Sequence, residues 1–119
     1  MIRRSALVYK PLRVCFPGGT IEPGERADQA VVREMWEELS AEVVPQEHVW
    51  TWESSEGPAL TLYGWRAELR TAPGALRALA SEVAEILWLT GSEALAHPDA
   101  LPNNREFVAA LEGAGEWLG

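Results

Sequence analysis

Residues 19–41 read Gly19-Thr20-Ile21-Glu22-Pro23-Gly24-Glu25-Arg26-Ala27-Asp28-Gln29-Ala30-Val31-Val32-Arg33-Glu34-Met35-Trp36-Glu37-Glu38-Leu39-Ser40-Ala41, and this stretch decides the fold. It opens on glycine, turns at Pro23-Gly24, and then runs from Ala27 to Leu39 without a glycine or proline. With Arg33 set to 0° and 100° per residue, Val31, Met35, Leu39, Val32 and Trp36 fall between about 160° and about 300°. One broad apolar face is the signature of an amphipathic helix, and Asp28 in its first turn suits the helix dipole. On this reading Trp36 belongs to the core.

The other side of the same helix is acidic. Glu37 falls near 40°, Glu34 near 100° and Glu38 near 140°, so three carboxylates share an arc of about 100°. Like charges at i, i+3 and i, i+4 destabilise a helix by a few tenths of a kcal/mol per pair. Glu37 and Glu38 also sit near the C-terminal end, where the dipole disfavours anions by about 0.3 to 1 kcal/mol each. Such an arc is either a solvated acidic face or a set of oxygen ligands for a hard divalent cation, which would reverse the sign of these terms. The neighbouring loop favours the second. Gly18-Gly19, Glu22, Pro23-Gly24 and Glu25 bring bare backbone carbonyls and amides towards the arc.

Outward from the helix, residues 4–10 predict a short strand ended by Pro11, and Val14-Cys15-Phe16 predicts another before the Pro17-Gly18-Gly19 loop. Downstream, residues 41–44 and 48–53 read as strands, and residues 54–58 as a turn before a strand over 59–69. The two Trp-bearing runs form a hairpin pattern in which Trp50 and Trp52 share one face, as do Tyr63 and Trp65; each pair suits either the core or a bound ring. Residues 85–89 predict a further strand with Trp88 buried, 91–96 a short helical or loop segment, and 102–111 a final helix with Gly113 just past its end. The order predicts an α/β fold with a mixed β-sheet and helices on both faces.

A chain of 119 residues with 47% hydrophobic and 24% charged residues is expected to be one globular domain, 1–119. Its 10 basic and 18 acidic residues give a formal charge of −8, which opposes binding to a nucleic acid polymer. A single cysteine, Cys15, rules out an intrachain disulfide and reads as a small buried residue. With no apolar run long enough to span a bilayer, the expectation is a cytoplasmic protein without a membrane partner. Neither His48 nor His97 has a spacing partner that suggests zinc.

The stretch from Gly19 to Ala41 resembles the Nudix box, G-x5-E-x7-R-E-U-x-E-E-x-G-U, where U is a bulky aliphatic residue. Gly19, Glu25, Arg33, Glu34, Met35, Glu37 and Glu38 match at the required spacing, and Phe16-Pro17-Gly18 before it is typical of the family. The resemblance implies the family's α/β/α sandwich, with the N-terminal strand region shortened. Ser40 stands where the pattern has glycine and Ala41 where it has a bulky aliphatic. A serine in the left-handed conformation after a helix costs roughly 1 kcal/mol, or the helix must leave by another route.

The resemblance further implies a metal-dependent hydrolase of a nucleoside diphosphate derivative or a nucleoside triphosphate, using Mg2+ or Mn2+. By position, Glu37 and Glu38 would be metal ligands, the Gly19 carbonyl or its neighbour Gly18 would complete the shell, and Glu34 would be a ligand or orient the attacking water. Arg33 and Glu25 read as an ion pair holding the loop to the helix. Glu82 or Glu85 is the further ligand or general base, with Glu82 preferred, and Glu22 is either another site acid or a solvated one. Pro58 is placed like a proline of some ADP-ribose-cleaving relatives, but a hairpin turn at Glu56-Gly57-Pro58 explains it more simply. A shortened sheet would leave an edge near residues 2–10, and a homodimer would cover it. The alternative is a catalytically inactive Nudix-like module that binds a nucleotide or a protein.

Overall fold

The computed structural model describes residues 1–7, 10–54 and 60–113. The order is β1 (Ile2–Arg4), β2 (Val14–Cys15), α1 (Ala27–Leu39), β3 (Val43–Glu53), β4 (Thr61–Leu69), a 3-10 turn at Pro73–Ala75, β5 (Val83–Ile86), α2 (Gly91–Ala96) and α3 (Pro102–Gly113). Helix α1 has the expected bounds. Its N-terminus is closed by the Arg26 amide donating to Gln29 Oε1 at 2.9 Å.

The α/β class holds, and the sheet is divided. One sheet has the order β2-β1-β5 and the other is the β3-β4 hairpin, with antiparallel ladders in both. The parallel component is an isolated bridge between Val14 and Ala100. Strand β3 is continuous where two strands were expected, with irregularities at Pro45/Glu47 and His48/Trp50. Proline cannot donate to a ladder, so Pro45 sits where the register slips.

Helices cover the hairpin from both sides. The Gly64 face lies under Phe107 of α3: a Cβ on Gly64 would come within 2.5 Å of that ring. Trp50, opposite Gly64, stacks on Phe107 at 5.2 Å and 12°. Trp50 is therefore half-buried against α3, whereas Tyr63 and Trp65 carry the ring contacts to His48. Leu69, on the alternate face of β4, joins Val43, Leu39, Ala41, Ile2, Cys15 and Val83 in the core beneath α1.

Several expectations are corrected. The first strand is Ile2–Arg4 and not 4–10: residues 6 and 7 are in a turn, and Lys10 and Leu12 have φ of 51° and 59°. Residues 8 and 9 lie outside the described residues, as do Pro58 and most of the expected 54–58 turn. Long-range pairing decides the strand, since β1 is hydrogen-bonded to β2 on one side and β5 on the other. Residues 2–4 thus form the centre of a sheet and present no open edge. The fifth strand ends at Ile86, leaving Trp88 beyond the sheet and 62% exposed.

Trp36 is likewise out of the core, at 60% exposure, with Val32 also exposed. The helix is turned so that its buried side includes Ala30, Leu39 and the acid Glu38. Ser40 takes the left-handed conformation that the box glycine would have supplied, with φ 52° and ψ 34°. Its amide reaches the Trp36 carbonyl at 2.9 Å, and the Ala41 amide reaches that of Met35 at 3.2 Å. Ala41 is fully buried. Among the described residues, no helix is long and apolar enough to cross a membrane.

Candidate functional site

The rotation of α1 brings its acids inward to a cleft of about 400 Å3. Gly18, Gly19, Glu22, Arg33, Glu34, Glu37, Glu38 and Glu82 all line it, so the structure gathers the box acids with the acid expected from downstream. Glu85 goes elsewhere, bonded to Arg3 at 2.8 Å.

Glu38 is the innermost acid, with 5% of the residue exposed. Its Oε2 accepts the Gly18 amide at 3.0 Å. Its backbone is fixed as well, because the Leu79 amide donates to the Glu38 carbonyl at 2.7 Å and that of Arg77 to Leu39 at 2.8 Å. These bonds satisfy carbonyls that a helix end leaves open. They also lead the chain to Glu82, whose carbonyl accepts the Ser5 amide at 2.9 Å and whose carboxyl stands close to that of Glu38. Burial pushes the Glu38 carboxyl up to about 8; the Gly18 amide opposes the rise, and the charges of Glu34 and Glu82 add to it.

Arg33 organises the opposite wall. Its Nε and Nη2 hold the two Glu25 oxygens at 2.8 and 2.9 Å, a bidentate pair across eight residues. Nη2 also donates to the Thr20 carbonyl at 2.8 Å. Nη1 reaches Glu34 at 2.7 Å and Glu37 at 3.2 Å, and lies 3.6 Å from Glu22. Arg33 holds the Glu25 carboxyl at about 2, with help from the Glu22 amide. The Glu34 side chain lies against Gly19, where any Cβ would strike its carboxylate. Glycine is required there for close approach and not for an unusual φ.

The donor set suits a hard divalent cation: every acid in the cleft offers oxygen, and Glu38 is buried beside two like charges. Among the described residues no three His, Cys, Asp or Glu side chains already stand converged for an ion. The acids are divided, with Glu34 and Glu37 drawn to Arg33 and Glu38 held by the Gly18 amide beside Glu82. Ion binding therefore entails a turn of these side chains about fixed backbone positions.

One charged residue of the cleft escaped the sequence reading. Arg4, on β1, lines the same cavity, and its Nη1 stands 3.8 Å from Cys15 Sγ. The adjacent Arg3-Arg4 pair was the available signal, because neighbours on a strand point to opposite faces.

A glycine loop, an acidic helix and a strand-borne acid around one cleft, on antiparallel sheets flanked by helices, define the class as a small α/β protein built to present oxygen ligands. The NUDIX domain model matches residues 1–111, and the chain belongs to the Nudix family. Nudix hydrolases act on pyrophosphate bonds and generally use divalent metals such as Mg2+ or Mn2+. Among solved structures the fold is similar to the solution structure of the E. coli ORF135 protein, with a TM-score of 0.74 and 26% identity, covering 94% of this chain and 78% of that one. No curated protein matches the sequence at a significant level.

Proposed function

We propose that this chain, as a single domain over residues 1–119, is a metal-dependent hydrolase of a phosphoanhydride bond in a nucleoside diphosphate derivative or a nucleoside triphosphate. The observation that carries the reading is the buried Glu38 carboxyl, held by the Gly18 amide and faced by Glu34 and Glu82 in one cleft. Glu34, Glu37 and Glu38, with the Gly19 carbonyl, would hold Mg2+ or Mn2+, and Glu82 supplies a further ligand or the general base. When bound, such an ion neutralises the diphosphate and lowers the pKa of water at the site. Arg33, spent on protein acceptors, fixes the loop to the helix together with Glu25 and Gly18.

The proposed partners are small nucleotide-linked molecules in a cytoplasmic setting, consistent with the charge of −8. A homodimer through residues 2–10 loses its basis, because β1 is paired on both sides. The test is phosphate or pyrophosphate release from a panel of nucleoside triphosphates and diphosphate-linked nucleosides, with Mg2+ and with EDTA. Metal-dependent release from a member of the panel is expected. Silence across the panel, while a nucleotide still raises the melting temperature, would instead support the binding module.

A further inference from the structure

Among the described residues five acids line the cleft, and four of them, Glu22, Glu34, Glu37 and Glu38, come from the loop and helix of one wall. The fifth, Glu82, stands in the turn that enters β5, outside any helix or strand. Something other than regular secondary structure must fix its direction. On one side the turn is tied to itself and to α1. The Glu82 and Val83 amides both donate to the Leu79 carbonyl, at 2.9 and 2.8 Å, and the Leu79 amide donates to the Glu38 carbonyl at 2.7 Å.

On its other side the turn is held by Ser5. The β1–β5 ladder ends at Arg4↔Val83, and the next residue carries the pairing one step further, with the Ser5 amide donating to the Glu82 carbonyl at 2.9 Å. Any residue but proline could make that bond. The serine hydroxyl adds two more, donating to the Ser81 carbonyl at 2.8 Å and accepting the Leu7 amide at 3.2 Å. Ser5 is only 5% exposed, and a buried hydroxyl with donor and acceptor both in use is costly to disturb. The Ser81 and Glu82 carbonyls belong to the two peptide units that flank the Glu82 Cα. With both planes held by one residue, the Cα–Cβ bond of Glu82 has a fixed direction.

We propose that Ser5 is a positioning residue for the hydrolysis, whose hydroxyl fixes the turn at residues 81–82 and thereby aims the Glu82 carboxylate into the cleft. Ser5 is not among the residues lining the cleft, so it acts through Glu82 and not on the substrate. A displacement near 1 Å in a working group is enough to slow a reaction, which makes the support of that group part of the site. The inference rests on the hydrolase reading, and on the part of it that makes Glu82 a further ligand or the general base.

The test is a double-mutant cycle of Ser5→Ala and Glu82→Gln in Mg2+-dependent nucleotide hydrolysis, with melting temperatures and amide exchange by NMR recorded for each protein. Ser5→Ala is expected to lower kcat by about tenfold and to change KM by less than about twofold. In the Glu82→Gln background the same change is expected to cost less than about twofold, because no working carboxylate remains to be misdirected. Without metal or substrate, Ser5→Ala is expected to quicken exchange at the Glu82 and Val83 amides by about fivefold relative to those of α1. If Ser5→Ala fails to fold, Ser5→Cys, close in size and a weaker donor, takes its place in the cycle. Equal losses in the two backgrounds, unchanged kcat in a folded Ser5 variant, or unchanged exchange at Glu82 and Val83 overturns the assignment. Turnover of the nucleotide panel by wild type is a separate readout: silence there sinks the hydrolase reading, while exchange still reports whether Ser5 holds the turn.

Discussion

The Gly18 amide donates to Glu38 Oε2 over 3.0 Å, joining the glycine loop to the last turn of α1 across twenty residues of chain. The bond gives a buried acid one polar partner, while its other near neighbours, Glu34 and Glu82, are acids. A side chain placed for folding alone would not be an acid there, since both the buried charge and the proton that cancels it at neutral pH are costly. The site therefore carries a local cost that a divalent ion would relieve.

Gly19→Ala tests the packing of the loop on the helix. The new methyl would displace the Glu34 carboxylate, the free end of a flexible side chain, so the fold is expected to survive. Hydrolysis is expected to drop by about a hundredfold, the scale of a displacement near 1 Å in a catalytic group. Circular dichroism with steady-state kinetics separates the two effects.

The Glu25–Arg33 pair has a pH signature. Glu25 titrates at about 2 instead of its usual 4.5, so the pair stabilises the fold above the unfolded value and loses that contribution as pH falls towards 2. Glu25→Gln is expected to melt below wild type at pH 7, with the gap closing between pH 4.5 and 2. A constant gap across that window would count against the pair as the cause.

Ser40→Gly tests the departure from the box. A left-handed serine costs about 1 to 2 kcal/mol, and glycine gives back about 0.5 to 1 in chain entropy, so a gain of roughly 0.5 to 1 kcal/mol is expected. Urea denaturation with an unchanged slope reads it directly.

Gly64→Ala tests the other face of the hairpin. Its methyl would enter the Phe107 ring, which is also 4.6 Å from Phe16 and stacked on Trp50. Overpacking of this kind is expected to cost about 1 to 3 kcal/mol in urea denaturation.

Much of the site was legible because its determinants are local. Spacing along one helix placed Glu34, Glu37 and Glu38 together, and the turn residues marked Ala27 to Leu39. Periodicity misplaced Trp36, since hydrophobicity counts glutamate as solvent-facing, whereas here Glu38 is buried and α1 is turned accordingly. The first strand was misread because Ala6-Leu7-Val8-Tyr9 is more strand-like in composition than Ile2-Arg3-Arg4, and only pairing with β2 and β5 selects the latter. Arg4 was missed for the same reason: its place in the cleft follows from a register between residues some eighty positions apart.

The most direct test compares Glu38→Gln with wild type in Mg2+-dependent nucleotide hydrolysis, with metal-free melting temperatures recorded alongside. Glutamine keeps an acceptor for the Gly18 amide and cannot ionise, so the variant escapes the cost of holding Glu38 protonated in the fold at neutral pH and is expected to melt at or above wild type without metal. Its hydrolysis is expected to fall by at least about a hundredfold, since groups one shell further out already cost about 10- to 100-fold. A folded Glu38→Gln that hydrolyses nucleotides at the wild-type rate would contradict the role given to this carboxylate.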